Sequence, residues 1–305
     1  MNKPFILPAL ILVIMFFTAP SCYSKGRSKA KHVVLIGLDG WGAYSVPKAD
    51  IPNIKQLMNN GAYTLKKRST LPSSSAINWA SMFMGAGPEL HGYTEWGSKT
   101  PELPSRVLNQ HGIFPTVFQL LRDDRPKAEI GCLYEWDGIK YLVDTLALSY
   151  HRQAPDYNKH PKALCEMAES YIKEKHPTLL AVCFDNPDHI GHAAGHDTPE
   201  YYAKLKELDG YIGRIIKAVE DAGMLKETIF IVTADHGGIG NGHGGKTMNE
   251  METPFIISGK NIKKGVQFDD ISMMQFDVAS TIAHIFGLKQ PQVWIGRPMK
   301  QVFGR

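Results

Sequence analysis

Cysteine, net charge of either sign and internal repetition are all scarce in this chain, and each shortage removes a class of protein. There are four cysteines in 305 residues. Three of them, Cys132, Cys165 and Cys183, are widely spaced and odd in number, so they build neither a disulfide framework nor a thiolate metal cluster. Cys132 and Cys183 sit in apolar runs and read as core. The formal net charge is +4, and Lys25, Arg27, Lys29 and Lys31, ahead of the first strand, carry as much positive charge themselves. The remainder is close to neutral, which argues against a nucleic-acid-binding face. No repeat or low-complexity linker divides the chain. With 43% hydrophobic and 21% charged residues it has an ordinary globular composition, enough for one large α/β domain or two small ones.

The N-terminal apolar run is too short for a comfortable membrane span. Residues 1–24 read as an export signal: Lys3 supplies the positive start, Phe5 to Phe17 the apolar stretch, and Ala19-Pro20-Ser21 a small-residue cleavage site. Cys22 resembles the lipid-modified cysteine of bacterial lipoproteins, although Ala19 stands where those carry leucine. Secretion and lipid anchoring to a membrane are both open. Either places the protein outside the cytoplasm, periplasmic in the bacterial case, with residues 25–31 as a basic tether and 32–305 as a single catalytic domain.

Strand and helix signals alternate from there on. His32–Leu38 is a continuous apolar β-rich run, as is Thr178–Phe184, and Ala128–Tyr134 and Pro254–Ser258 are further strand candidates. Helices are expected from Pro52 to Met58, with Gly61 as a stop, and over Ser75–Met84, Phe114–Arg122, Lys162–Glu174, Pro199–Ala222 and Asp277–Gly287. Such alternation predicts an α/β fold with a mostly parallel central sheet flanked by helices on both faces, its sites at the carboxyl ends of strands.

The most informative stretch is Ile229–Gly245. Its apolar run ends in Asp235-His236, and glycines then lead to His243. Carboxylate and imidazole at this spacing suit a divalent metal such as zinc; a strand followed by a flexible turn has the same appearance. The first apolar run ends in Asp39. The run to Phe184 is followed by Asp188 and His192, four apart and on one face of a helical turn. Ser73, Ser74 and Ser75 precede a helix, where any of them could cap it. A nucleophile there would also lie at the positive helix end that binds phosphate oxygens. Three strand ends carrying carboxylates, two of them with imidazoles, and a serine at a helix start fit a site for two metals.

In this order Asp39, Pro72 to Asn78, Asp188-x-x-x-His192, Asp235-His236-Gly237 and a later histidine resemble the alkaline phosphatase superfamily. Within it the chain is most similar to the type I phosphodiesterase/nucleotide pyrophosphatase group. The resemblance implies two zinc ions, one held by Asp39, Ser75, Asp235 and His236, the other by Asp188, His192 and His243. It also implies Ser75 as nucleophile, a phosphoseryl intermediate and a small phosphorylated substrate. Asn78, Trp96 and Lys246 are candidate substrate contacts, although Asn78 could equally cap the helix and Lys246 be a solvated side chain. Where nucleotide pyrophosphatases carry an asparagine after His-Gly, this chain reads Tyr93-Thr94-Glu95-Trp96, which weakens a nucleotide-specific reading. A sulfatase would need Pro and Arg after the nucleophile, and Ser75-Ala-Ile-Asn-Trp lacks them. A phosphomonoesterase, a phosphotransferase and a non-catalytic surface lipoprotein are the alternatives.

Overall fold

The computed structural model describes residues 1, 30–156, 160–270 and 272–304. Cys22, most of the expected signal and most of the tether lie outside the described residues. The end of the tether differs from expectation. Ala30 is buried, and Lys31 N–H donates to Glu227 O at 2.8 Å, so the body of the fold already includes these two residues.

In chain order the main elements are β1 (His32–Leu38), α1 (Pro52–Asn59), β2 (Gly61–Arg68), α2 (Ser75–Met84), α3 (Pro88–His91), α4 (Val117–Asp124), β3 (Ile130–Tyr134) and β4 (Tyr150–Gln153). Then follow α5 (Ala163–Lys175), β5 (Leu179–Phe184), α6 (Asp188–Ala194), α7 (Pro199–Asp221), β6 (Thr228–Thr233), α8 (Met248–Met251), β7 (Glu252–Gly259), β8 (Val266–Gln267) and α9 (Asp277–Phe286). Helix α4 starts later than its apolar spacing predicts, because the Thr116 side chain accepts the Gln119 N–H and sets the N-terminus there. No helix among the described residues is long and apolar enough to cross a membrane.

The strands form one sheet in the order β4-β3-β5-β1-β6-β7-β2-β8, parallel except for the β6–β7 and β7–β2 pairs. As expected, the sheet is mostly parallel with helices around it. Strand β1 is central and apolar on both faces. Val33 and Leu35 join a core with α2, α4 and α9, while Val34, Ile36 and Leu38 join one with α1, α5 and α7. Continuous Val/Ile/Leu runs are what a doubly covered parallel strand requires. The consequence for function lies in the register. Leu38 pairs with Phe184 of β5, and Gly37 with Thr233 of β6. Three neighbouring parallel strands therefore end at the same edge, and the residues that follow them, Asp39, Asp185 to Asp188 and Asp235-His236, emerge together.

Candidate active site

Helix α2 begins over this edge, and its serines divide the work. Ser74 is the N-cap residue, in extended conformation, and its side chain makes no cap bond. The Ser73 hydroxyl donates to Gly245 O at 2.7 Å and accepts from Gly244 N–H at 3.2 Å, fastening the glycine-rich loop that carries His243. Ser75, the first helical residue, directs Oγ to 3.1 Å from His236 Nε2 and 3.5 Å from Asp39 Oδ1. Of the three, Ser75 is the one aimed at the strand ends.

Around it the structure assembles all the residues read as ligands. Asp39 Oδ1 is 3.3 Å from His236 Nε2, and Asp235 Oδ2 is 3.4 Å from the same nitrogen. Asp188 Oδ2 is 3.0 Å from His192 Nε2 and 3.7 Å from His243 Nε2. Two sets have ligand atoms within 4.8 Å of one another, Asp188–His192–His243 and Asp39–Asp188–His236. Asp188 belongs to both, so the two groups meet at one carboxylate. The chain comes close here because residue 40 is glycine: with φ at +68°, a Cβ there would lie 2.6 Å from Asp188 Oδ1.

The charges in this pocket call for a cation. Asp235 is fully buried; its Oδ1 accepts from Gly40 N–H at 3.1 Å and His236 N–H at 2.8 Å, but no donor reaches its buried Oδ2. Burial, reinforced by the Asp39 charge, holds its carboxyl well above the usual range. Burial alone would lower the His236 imidazole, yet the carboxylates of Asp235, Asp39 and Asp188 outweigh it and raise it to about 10. The hydrogen bond that His192 donates to Asp188 lifts its imidazole to about 9. Asp188 itself is lowered, because the bonds from His192 and His196 overcome its burial. His243 drops to about 4 through burial and the neighbouring His236, on which its ring stacks with centroids 3.9 Å apart.

The imidazoles also share one orientation. Nδ1 faces a backbone carbonyl in each: Gly237 O at 2.7 Å from His236, Asn241 O at 2.9 Å from His192, and Ser73 O at 3.1 Å from His243. A carbonyl only accepts, so Nδ1 carries a hydrogen and Nε2 faces the carboxylates, which is how metal-binding histidines are commonly fixed. Together with the donorless Asp235 oxygen, these residues fit divalent metal ions.

Two expected substrate contacts fare differently from each other. Asn78 is fully buried. Its Oδ1 accepts from Thr70 N–H at 2.7 Å, and its Nδ2 donates to Thr70 O, Pro72 O and Ser74 O, so the amide pins the loop before α2 and has no face left for substrate. Trp96 is 68% exposed, and its carbonyl accepts the Ala76 N–H at 3.1 Å, which hangs its loop beside Ser75. Lys246 is exposed next to Gly245.

Several supporting residues escaped sequence reasoning. Trp79, buried in α2, also donates Nε1–H to Asp39 Oδ2 at 2.9 Å. Lys67 is fully buried in β2, with Nζ donating to Ala234 O at 2.8 Å and to Gln275, and burial lowers it to about 7. A lysine within Lys66-Lys67-Arg68 reads as surface charge, so nothing local marks it. His196, which the sequence leaves as either a loop residue or a support behind the ligands, places Nε2 3.2 Å from Asp188 Oδ1.

Comparison with known proteins gives the family and the fold. Residues 33–253 match the family described as type I phosphodiesterase / nucleotide pyrophosphatase. The mouse bis(5'-adenosyl)-triphosphatase enpp4 is 24% identical over 242 residues, covering 74% of this chain and 52% of the relative. GPI ethanolamine phosphate transferase 2 of Aspergillus oryzae is 30% identical over 118 residues, 34% of this chain and 14% of the transferase. The chain thus spans about half or less of these relatives. Among solved structures, an inactive form of murine ectonucleotide pyrophosphatase / phosphodiesterase 5 in complex with AMP superposes with a TM-score of 0.70 at 15% identity, covering 86% of this chain and 96% of that one. At that identity the likeness speaks for the fold.

Proposed function

The chain belongs to the type I phosphodiesterase / nucleotide pyrophosphatase family, and from that premise we propose that it hydrolyses a small phosphorylated substrate of the phosphodiester or pyrophosphate kind through Ser75. The observation that carries the reading is the position of Ser75 Oγ, at the start of α2 and within 3.5 Å of both Asp39 and His236. Asp39, Asp235, His236 and Ser75 would hold one zinc ion, and Asp188, His192 and His243 a second. Two such ions neutralise phosphoryl oxygens, lower the pKa of a bound hydroxyl and steady the leaving oxygen in an in-line displacement.

The protein's own groups supply orientation. Trp79 holds Asp39 through Oδ2, leaving Oδ1 toward Ser75. The N-terminus of α2 places positive dipole beside the incoming phosphate. The Ser75 hydroxyl loses its proton to solvent and Oγ forms a bond to phosphorus as the bond to the ester oxygen on the far side breaks; that oxygen leaves with the electron pair and takes up a proton from water, leaving a phosphoserine. Water attacks the same phosphorus from the vacated side and restores the serine. The exposed Trp96 ring is the candidate surface on which a leaving group would stack.

A phosphotransferase outcome, in which an alcohol replaces that water, is the second reading, favoured by the similarity to the ethanolamine phosphate transferase. Export through residues 1–24, with lipid attachment at Cys22, belongs to the same proposal; fractionation of cells expressing the chain and its Cys22→Ser variant tests it.

The experiment compares bis-p-nitrophenyl phosphate with p-nitrophenyl phosphate, using zinc-loaded protein lacking residues 1–24 and Ser75→Ala as control. Diester preference lost in the variant supports the reading, and monoester preference moves the protein to phosphatase chemistry. Normal turnover by Ser75→Ala would remove the nucleophile assignment. An added alcohol acceptor, followed by product analysis, separates hydrolysis from transfer.

A further inference from the structure

His196 stands in neither set of candidate ligands, yet its ring is enclosed as fully as that of His236. Its side chain is 0% exposed, and its ring bridges two elements of the site. Nε2 lies 3.2 Å from Asp188 Oδ1, and Nδ1 lies 3.0 Å from Gly240 O, a carbonyl that also accepts the His196 backbone N–H at 2.7 Å. Asp188 Oδ2 is the oxygen turned to His192 and His243, so His196 holds the opposite oxygen of the same carboxylate.

The space for this ring has been made by its neighbours. A Cβ on Gly191 would come within 2.4 Å of the His196 ring, and one on Gly238 within 2.2 Å. Gly191 belongs to α6, which carries Asp188 and His192, and Gly238 to the loop between His236 and His243. The ring is therefore clamped between the two chain segments that bring imidazoles to Asp188, and it is bonded to both. Tyr201 of α7 closes the remaining side, its ring centroid 5.5 Å away.

Resting on the two-metal reading above, we propose that His196 is a positioning residue for Asp188. By holding Oδ1 it presents Oδ2 at a fixed angle, and by binding Gly240 it sets the glycine loop at the distance that lets His243 reach the same carboxylate. It acts on the carboxylate and the loop, without binding an ion itself. Outer groups that hold a metal's ligands typically contribute 10–100-fold in affinity. The effect should be larger on the ion of the Asp188–His192–His243 group, which would lose both the held carboxylate and the loop that carries His243, than on the ion near Asp39 and His236, where Asp188 is one donor among several.

The test is zinc titration of metal-free wild type, His196→Ala and His196→Gln against a chromophoric chelator, with thermal unfolding of each metal-free protein beside it. Wild type should take two ions. His196→Ala should lose about 10–100-fold in one affinity and clearly less in the other, and His196→Gln, whose amide can still donate to Oδ1, should recover most of that loss. Equal weakening of both ions, in step with a lowered unfolding temperature, would show a merely structural role and overturn the proposal. So would unchanged affinities in His196→Ala. A wild-type chain that bound fewer than two ions would overturn the two-metal reading, and this assignment with it.

Discussion

Glu135 offers a prediction whose size follows from the structure. It lies at the end of β3, 3% exposed, and its Oε2 accepts the Asp185 N–H at 2.8 Å, at the head of the loop that delivers Asp188. Burial raises its carboxyl from 4.5 to about 7; the Asp185 hydrogen bond and Lys204 oppose this without cancelling it, and Glu207 adds to it. A group held above its unfolded value binds more protons when folded. Its contribution is therefore complete below pH 4.5 and declines as pH rises through about 7. That window corresponds to on the order of 3 kcal/mol. Glu135→Gln keeps an acceptor for Asp185 and removes the charge. The variant should match wild type at pH 4.5 and exceed it at pH 8 by about 3 kcal/mol, or roughly 6–12 °C for a domain of this size. Thermal unfolding in chelator at both pH values measures the difference, and other titrating groups cancel because both proteins share them. A difference independent of pH, or a variant less stable at pH 8, would refute the reasoning.

Three further outcomes are expected. Asp235→Asn preserves the acceptor for Gly40 and His236 in a carboxyl that burial already disfavours as an anion, so its unfolding temperature in chelator should shift by less than about 2 °C; of the zinc-induced rise of wild type, about 2.7 kcal/mol per ion at a hundredfold excess over Kd, the share of one ion should disappear. Trp79→Phe leaves Asp39 Oδ2 without its donor in a buried setting and should cost about 1–3 kcal/mol in urea unfolding. Trp96→Ala removes an exposed ring, so stability should stay within about 0.5 kcal/mol while KM for an aryl phosphodiester rises about 2–10-fold at constant kcat, as steady-state kinetics will show.

The fold was most legible where burial leaves no choice of residue. Strand β1, apolar on both faces, has the expected bounds, and so does the run of α2 over Ser75–Met84. Strand β2 was hidden because Gly61 reads as a helix stop and because its inward side chains include a lysine, Lys67, whose charge is met only by Ala234 and Gln275 far along the chain. Strand β4 is exposed throughout and β8 spans two residues, so neither leaves an apolar pattern. At the site, carboxylates and imidazoles at strand ends were visible because parallel strands share an edge. What holds them was not: Trp79 meets Asp39 across 40 positions, and His196 is distinguished from a loop histidine only by the fold around it. Asn78 shows the converse. Its place near the serine fits a phosphate contact, but the carbonyls of the preceding loop needed its amide.

The most direct measurement of the central claim is a rapid acid quench of zinc-loaded protein during turnover of bis-p-nitrophenyl phosphate, followed by mass spectrometry of the peptide containing Ser73, Ser74 and Ser75. The account predicts a gain of one phosphoryl group located on Ser75, absent from Ser75→Ala and from protein stripped of metal. Turnover with no phosphorylated peptide, or with the phosphoryl group on Ser73 or Ser74, would contradict it.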